Sequence, residues 1–232
     1  MVLLVHGGPW VRDTLAYSPT VQFLANRGYV VLQVNYRGSS GYGKQFLNAG
    51  KRQWGGKMLD DLVDAKRWAV REGYAKADKV GIMGASFGGY LTLAGLAFTP
   101  TEFACGVDMV GQSNLLTFLR TIPSFATSVR ALYDLRVGNP DRDEPMLRAR
   151  SPYFHVDRIV RPLLIIQGAN DPRVPRTESD QMVEALRARN KPVDYLLLPD
   201  EGHNFGIPAN QIRVMGAIEK FLAKHLGGYA LD

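Results

Sequence analysis

The sequence predicts an α/β fold, a mostly parallel sheet flanked by helices. Two observations carry that expectation. Short, continuously apolar runs alternate with longer segments of helical periodicity along the 232 residues, the pattern of βα units. In addition, the pentapeptide Gly84-Ala85-Ser86-Phe87-Gly88 stands where one such run passes into one such helix, a strand-to-helix turn that exposes a serine.

Strands are expected at Val2 to Val5, Tyr29 to Asn35, Lys79 to Met83, Cys105 to Val110, Leu163 to Gln167 and Asp194 to Leu198. Their unbroken apolar character suits strands covered on both faces. Between them, apolar residues recur at helical spacing over Thr20 to Arg27, Leu59 to Glu72, Phe87 to Ala97, Thr177 to Arg189 and Gln211 to His225. Residues 111–152 interrupt the alternation. This stretch carries Leu115, Leu116, Phe118, Leu119, Phe125, Leu132 and Tyr133, and it reads either as an excursion of packed helices or as the wall of a pocket. Insertions at the carboxyl ends of parallel strands lie where open α/β sheets bind ligands.

With 46% hydrophobic and 22% charged residues, the chain fits one globular domain over residues 1–232. The net charge of +6 is scattered without a run of five like charges, which reads as a solvated basic surface rather than a nucleic-acid face. Cys105, the single cysteine, excludes an internal disulfide and a cysteine-based metal site and is expected as a small core residue. The sequence offers neither a signal-type leader nor an 18-residue apolar span, so the expectation is a cytoplasmic protein with no membrane association.

The chemistry starts at Ser86. In a Gly-x-Ser-x-Gly elbow the glycines are needed because side chains there would clash, and the next backbone N–H points at a developing oxyanion. A serine hydroxyl is a poor nucleophile at neutral pH, so it needs a base, and the base an orienting acid. Of the four histidines, His203 lies in a loop just beyond the last strand, after a glycine, on the sheet edge that carries Ser86. His225, at the end of the last helix, reads instead as a cation on a helix C-terminus. Asp171, in Gly168-Ala169-Asn170-Asp171-Pro172, likewise follows a strand, whereas Asp60, Asp61, Asp141 and Asp143 are explained as caps or turn residues. The order Ser86, Asp171, His203 is that of the α/β-hydrolase triad. His6-Gly7-Gly8 follows the first strand and supplies the second oxyanion donor in such a fold, giving the amides of Gly8 and Phe87 as the hole. No metal or cofactor is required.

These residues resemble the prolyl oligopeptidase family of serine peptidases, most closely its acylaminoacyl and dipeptidyl peptidase branches. The resemblance is carried by His6-Gly7-Gly8-Pro9, Asn35-Tyr36-Arg37-Gly38-Ser39-Ser40-Gly41-Tyr42-Gly43, Trp54-Gly55-Gly56 with Asp60-Asp61, and Gly84-Ala85-Ser86-Phe87-Gly88-Gly89-Tyr90. It continues through Ser151-Pro152, His155-Val156, Gly168 with Asn170-Asp171, Val174-Pro175 and Gly202-His203. It implies an α/β-hydrolase domain with Ser86, Asp171 and His203 as triad, Gly8 and Phe87 as oxyanion hole, and an apolar pocket for the residue before the scissile bond. Trp10, Phe118 and Phe125 are pocket candidates, and Arg173 is a candidate for a substrate carbonyl or carboxylate.

Two departures bear on function. Family members carry a β-propeller before the hydrolase domain, and this sequence shows neither the propeller nor the first two strands of the usual sheet. The strand at 29–35 is then expected at an open edge, which invites pairing in a homodimer or larger assembly, unless the sequence is part of a longer product. The elbow also has Ala85 where relatives often carry a larger residue. The expected substrates are small peptides, aminoacyl or acylaminoacyl, or esters. A carboxylesterase without peptidase activity is the alternative, and a non-catalytic binding module keeping the fold is the third reading.

Overall fold

The structure is a computed structural model that describes residues 1–123 and 125–230. Six strands form one sheet in the order β2-β1-β3-β4-β5-β6: β1 (Val2–Val5), β2 (Val31–Gln33), β3 (Gly81–Ala85), β4 (Cys105–Met109), β5 (Leu163–Gly168) and β6 (Val193–Leu198). Every pairing is parallel, so all the strands point their carboxyl ends at one edge.

Side-chain alternation along each strand builds two cores, one on each face. Leu3, Val5, Ile82, Leu163 and Ile165 pack with α3 (Lys57–Arg71), α4 (Phe87–Phe98) and α8 (Arg176–Arg187). Val2, Met83, Cys105, Val107, Leu164 and Ile166 pack with α1 (Pro19–Asn26) and α9 (Pro208–Leu226). Cys105 is fully buried in this second core, and burial pushes its thiol up to about 12. The sheet is thus covered on both faces, which is why its strands read as continuous apolar runs.

The differences from the sequence reading lie at edges and in the long insertion. β2 keeps only Val31, Leu32 and Gln33 in register, opposite Val2, Leu3 and Leu4; as an edge strand it has one neighbour. β3 runs two residues further than its apolar stretch, through Gly84 and Ala85, because pairing with β4 continues there. A helix over Gly43–Ala49, α2, has no buried residue and so no apolar stripe to announce it. Residues 111–152 hold α5 (Leu115–Arg120), α6 (Thr127–Arg136) and α7 (Glu144–Ala149), followed by a 3-10 segment at Pro152–Arg158. His225 lies in the last turn of α9, edge-on to Phe221 with ring centroids 4.7 Å apart, and burial lowers its pKa from the ordinary histidine value.

Glycine is obligatory where β3 turns into α4. A Cβ on Gly84 would meet the Gly88 carbonyl carbon at 2.5 Å, and one on Gly88 would meet the Val5 carbonyl oxygen at 2.2 Å. Both obstacles are backbone and cannot rotate away. By contrast, a Cβ on Gly216, inside α9, meets nothing within 4 Å. Gly88→Ala should therefore lower stability by at least about 1–3 kcal/mol, whereas Gly216→Ala should raise it by roughly 0.5–1 kcal/mol through helix propensity. Thermal denaturation of the two variants against the parent reads both signs.

Candidate active site

Ser86 caps the end of β3 with φ 58° and ψ −119°, a left-handed conformation that L side chains avoid and that persists only when its surroundings hold it. The Ser86 amide donates to the Met109 carbonyl at 2.8 Å and the Ser86 carbonyl accepts from Tyr90 at 3.0 Å, so strand and helix grip the residue from both sides. The Phe87 amide, first in α4, has no intrahelical acceptor. The Phe87 ring is buried against Trp54, Tyr36 and Tyr90, with centroids 4.4, 5.8 and 5.5 Å away, and this anchors the amide.

The loops after β5 and β6 are stitched together by their backbones. Ala169 N–H donates to Leu198 O and Asn170 N–H to Glu201 O, each at 2.9 Å. A Cβ on Gly168 would meet Gly202 O at 2.2 Å, so glycine permits the approach. Asp171 and His203 are thereby brought together: His203 Nδ1 donates to Asp171 Oδ2 at 2.7 Å, and side-chain exposure is 9% for the histidine and 0% for the aspartate. Asp171 Oδ1 accepts the amides of Arg173 at 2.8 Å and Val174 at 3.0 Å, which fixes the carboxylate plane. Since the carboxylate oxygen accepts, the ring proton sits on Nδ1 and Nε2 is left as an acceptor. Glu201 holds the far end of the histidine loop, accepting the amides of Gly206 and Ile207, each at 2.9 Å, and the Asn210 side chain at 3.1 Å.

On the other flank, the His6-Gly7-Gly8 turn lies against the elbow, and a Cβ on Gly7 would come within 3.5 Å of Ser86 Cβ. Gly8 has φ 107° and is followed by a cis bond to Pro9; among the described residues its amide meets no hydrogen-bond acceptor. The turn is braced from below. His6 stacks on Tyr36 at 4.2 Å, His6 Nε2 bonds Ser39 Oγ at 2.9 Å, and Tyr36 OH donates to the His6 carbonyl at 2.8 Å. Arg37 next to it is clamped by a bidentate pair with Asp61, so Asp61 is an ion-pair partner rather than a helix cap.

A cavity of about 540 Å³ opens over these groups, lined by Gly8, Ser86 and His203 on one side and by Val110, Phe118, Tyr133 and Val174 on the other, with Gln112, Arg173 and Asn204 as its further polar members. Phe118 and Tyr133, from α5 and α6, meet edge to face with centroids 5.8 Å apart. Trp10 lies outside this lining, edge-on to Tyr133 at 5.6 Å and under the Arg136 guanidinium. Phe125 is 85% exposed and also outside it. Sequence reasoning did not single out Val110, Val174 or Gln112 for the site, and it named Tyr133 only within the stretch that could wall a pocket. Val174, three residues after Asp171, carried the only local signal; the others are placed by tertiary packing.

Two buried carboxylates support the floor. Glu178, at the start of α8, accepts the amides of Ser113 at 3.0 Å and Asn114 at 2.8 Å, tying α8 to the entry of α5, and burial raises its pKa. Asp108 on β4 lies beside Gly84 in the sheet. One oxygen accepts the Gly111 amide at 3.0 Å and the other has no partner; burial pushes the carboxyl up to about 7 against that single hydrogen bond. Among the described residues, no group of three or more His, Cys, Asp or Glu could hold a metal ion, and no helix is long and apolar enough to cross a membrane.

The prolyl oligopeptidase family profile matches residues 15–229. The chain is 55% identical over 232 residues to dipeptidyl aminopeptidase BIII of Pseudoxanthomonas mexicana, covering 99% of this chain and 34% of that protein. It is 51% identical over 231 residues to dipeptidyl peptidase family member 6 of Caenorhabditis elegans, covering 98% and 31%. Among solved structures, a puromycin-hydrolyzing peptidase of Mycobacterium tuberculosis superposes with a TM-score of 0.93 at 32% identity, covering 100% of this chain and 35% of that one. The acylaminoacyl peptidase of Pyrococcus horikoshii gives 0.90 at 26%, covering 100% and 38%. The chain therefore spans about a third of the length of the curated relatives it matches, and its fold is that of the α/β hydrolases.

Because the folded protein holds the Asp108 proton up to about pH 7 and the unfolded chain releases it near pH ~4, the native state binds more protons between those limits. Stability should fall as pH rises through that window. Denaturant midpoints measured across it should show this decline in the parent and its loss in Asp108→Asn.

Proposed function

The chain belongs to the prolyl oligopeptidase family, and from that premise we propose that it is the catalytic part of a serine peptidase that cleaves small peptides through an acyl-enzyme on Ser86. The observation that carries the reading is that three loops from distant parts of the chain converge on one cavity: Ser86 on its strained turn, His203 bonded to Asp171, and the free amide of Gly8.

In this mechanism the scissile carbonyl enters the cavity and Ser86 Oγ attacks it while His203 Nε2 takes the hydroxyl proton. Asp171 keeps the ring proton on Nδ1 and stabilises the imidazolium that forms. The tetrahedral oxyanion is met by the amides of Gly8 and Phe87, held ready by the rigid turns that carry them, so no reorganisation is needed when charge develops. His203 then protonates the departing amine, and water cleaves the acyl-enzyme with the roles reversed. Val110, Phe118, Tyr133 and Val174 offer an apolar seat for the residue before the scissile bond. Arg173 at the rim suits a substrate carbonyl or carboxylate.

The dipeptidyl and acylaminoacyl peptidases among the relatives support peptides over plain esters as the principal substrates. A buried, unpaired Cys105 suits a reducing compartment such as the cytoplasm. The open side of β2 at the sheet's edge is the surface on which a homo-oligomer would form. In the parallel register with β1, Gln33 turns its N–H to the open side, so light scattering on the parent and on Gln33→Pro reads that assembly, which the substitution should weaken.

Ser86→Ala should lower turnover of an aminoacyl p-nitroanilide by a factor on the order of 10⁶ and abolish fluorophosphonate labelling, while Asp171→Asn should cost about 10⁴ in kcat. Labelling that persists in Ser86→Ala refutes the nucleophile assignment. Turnover of p-nitrophenyl acyl esters without any p-nitroanilide cleavage makes the protein an esterase instead.

A further inference from the structure

A second cavity, of about 630 Å³, adjoins the first and shares Ala85, Val110, His203 and Asn204 with it. It contains neither Ser86 nor Gly8. Its remaining walls are mainly apolar: Phe23 of α1, Met109, Phe205 beside the histidine loop, and Val214 and Met215 of α9. Those walls are held by the core between α1, α9 and the sheet, in which Val214 and Met109 also take part, so the cavity is part of the packed scaffold. His203 is the partition between the two spaces, and Ala85, small and exposed at the top of β3, leaves the passage between them open.

That placement has a chemical meaning, which rests on the Ser86 reading. During acylation the imidazolium of His203 gives its proton to the departing amine, so the leaving group must lie against the imidazole and on the side of it away from the acyl pocket. The acyl side is the cavity that holds Ser86, Gly8, Phe118 and Val174. We propose that the cavity bounded by α1 and α9 is the leaving-group subsite, and that it selects substrates whose residue after the scissile bond carries an apolar side chain of the size of leucine or phenylalanine. A substrate ending in glycine on that side leaves the apolar walls wet and forfeits the burial of a full side chain.

Microscopic reversibility gives a direct test. An amine that attacks the acyl-enzyme must occupy the site from which the leaving amine departs. The amine nitrogen forms the new C–N bond, its proton passes to His203 and on to Ser86 Oγ, and the Ser86 ester bond breaks. The acyl-enzyme formed from a p-nitrophenyl acyl ester is offered leucinamide or glycinamide, and the ratio of amide product to free acid is measured for each. Because water competes in the same tube, this ratio is independent of the amount of active protein. Leucinamide should capture the acyl group at least about tenfold better than glycinamide, the ratio that corresponds to ~1.4 kcal/mol. Met215→Asp, which places a charge on the apolar wall, and Thr20→Trp, which fills the cavity from α1, should each bring the two amines to within about twofold of each other. Equal capture of the two amines by the parent overturns the subsite, as does a leucinamide preference unchanged in both variants. Absence of fluorophosphonate labelling and of ester turnover in folded parent protein overturns the Ser86 reading itself, so the two failures are told apart.

Discussion

Gly84 and Gly88 touch through their backbones, and the architecture of the site follows from that contact. β3 must end and α4 must begin within a few residues, with the helix start pressed against the carbonyl of Val5 on β1. Chain reversal in so little space forces one residue into a left-handed conformation, and Ser86 occupies it at φ 58°. The strain is held by the pairing of β3 with both neighbours and by the buried aromatic cluster around Phe87. A side chain raised on a sharp turn above a rigid sheet is accessible and immobile at once, the combination that preorganised chemistry needs.

The remaining groups reach the same edge through carboxylates that accept backbone amides. Asp171 binds two amides after β5, Glu201 two after β6, and Glu178 two at the entry to α5. Each is buried, and each replaces lost hydration with donors fixed by the chain, which is the condition for keeping a polar group inside. Asp108 is the exception, with one amide and one orphan oxygen, and burial accordingly drives its proton affinity up. Since Asp108 lies beneath the elbow next to Gly84 and against Gly89 and Gly111, the least satisfied carboxylate of the floor adjoins the strained turn at Ser86.

The insertion after β4 does two things with one set of residues. Its helices bury Leu115, Leu116 and Leu119 in the core while Phe118 and Tyr133 wall the cavity. Packed helices and pocket wall were alternatives in the sequence because an apolar residue at helical spacing looks the same in either role. Phe118 and Phe125 illustrate the point: Phe118 lies on α5 and is buried at the cavity, whereas Phe125 lies in the turn between α5 and α6 and is exposed.

What the sequence by itself determined is local and steric. Glycines around Ser86 specify the turn, apolar runs specify strands covered on both faces, and the positions of Asp171 and His203 just past two strands put both residues on the edge that carries Ser86. These are legible because the constraint and the residues that meet it lie within a few positions of each other. Tertiary structure alone decided that Asp171 and His203 meet at hydrogen-bond distance, through the contact of Gly168 with Gly202, and that Asp61 clamps Arg37. It also decided that two cavities divide at His203. Those outcomes depend on how segments far apart in the chain pack together, and packing geometry leaves no periodic trace in any one of them.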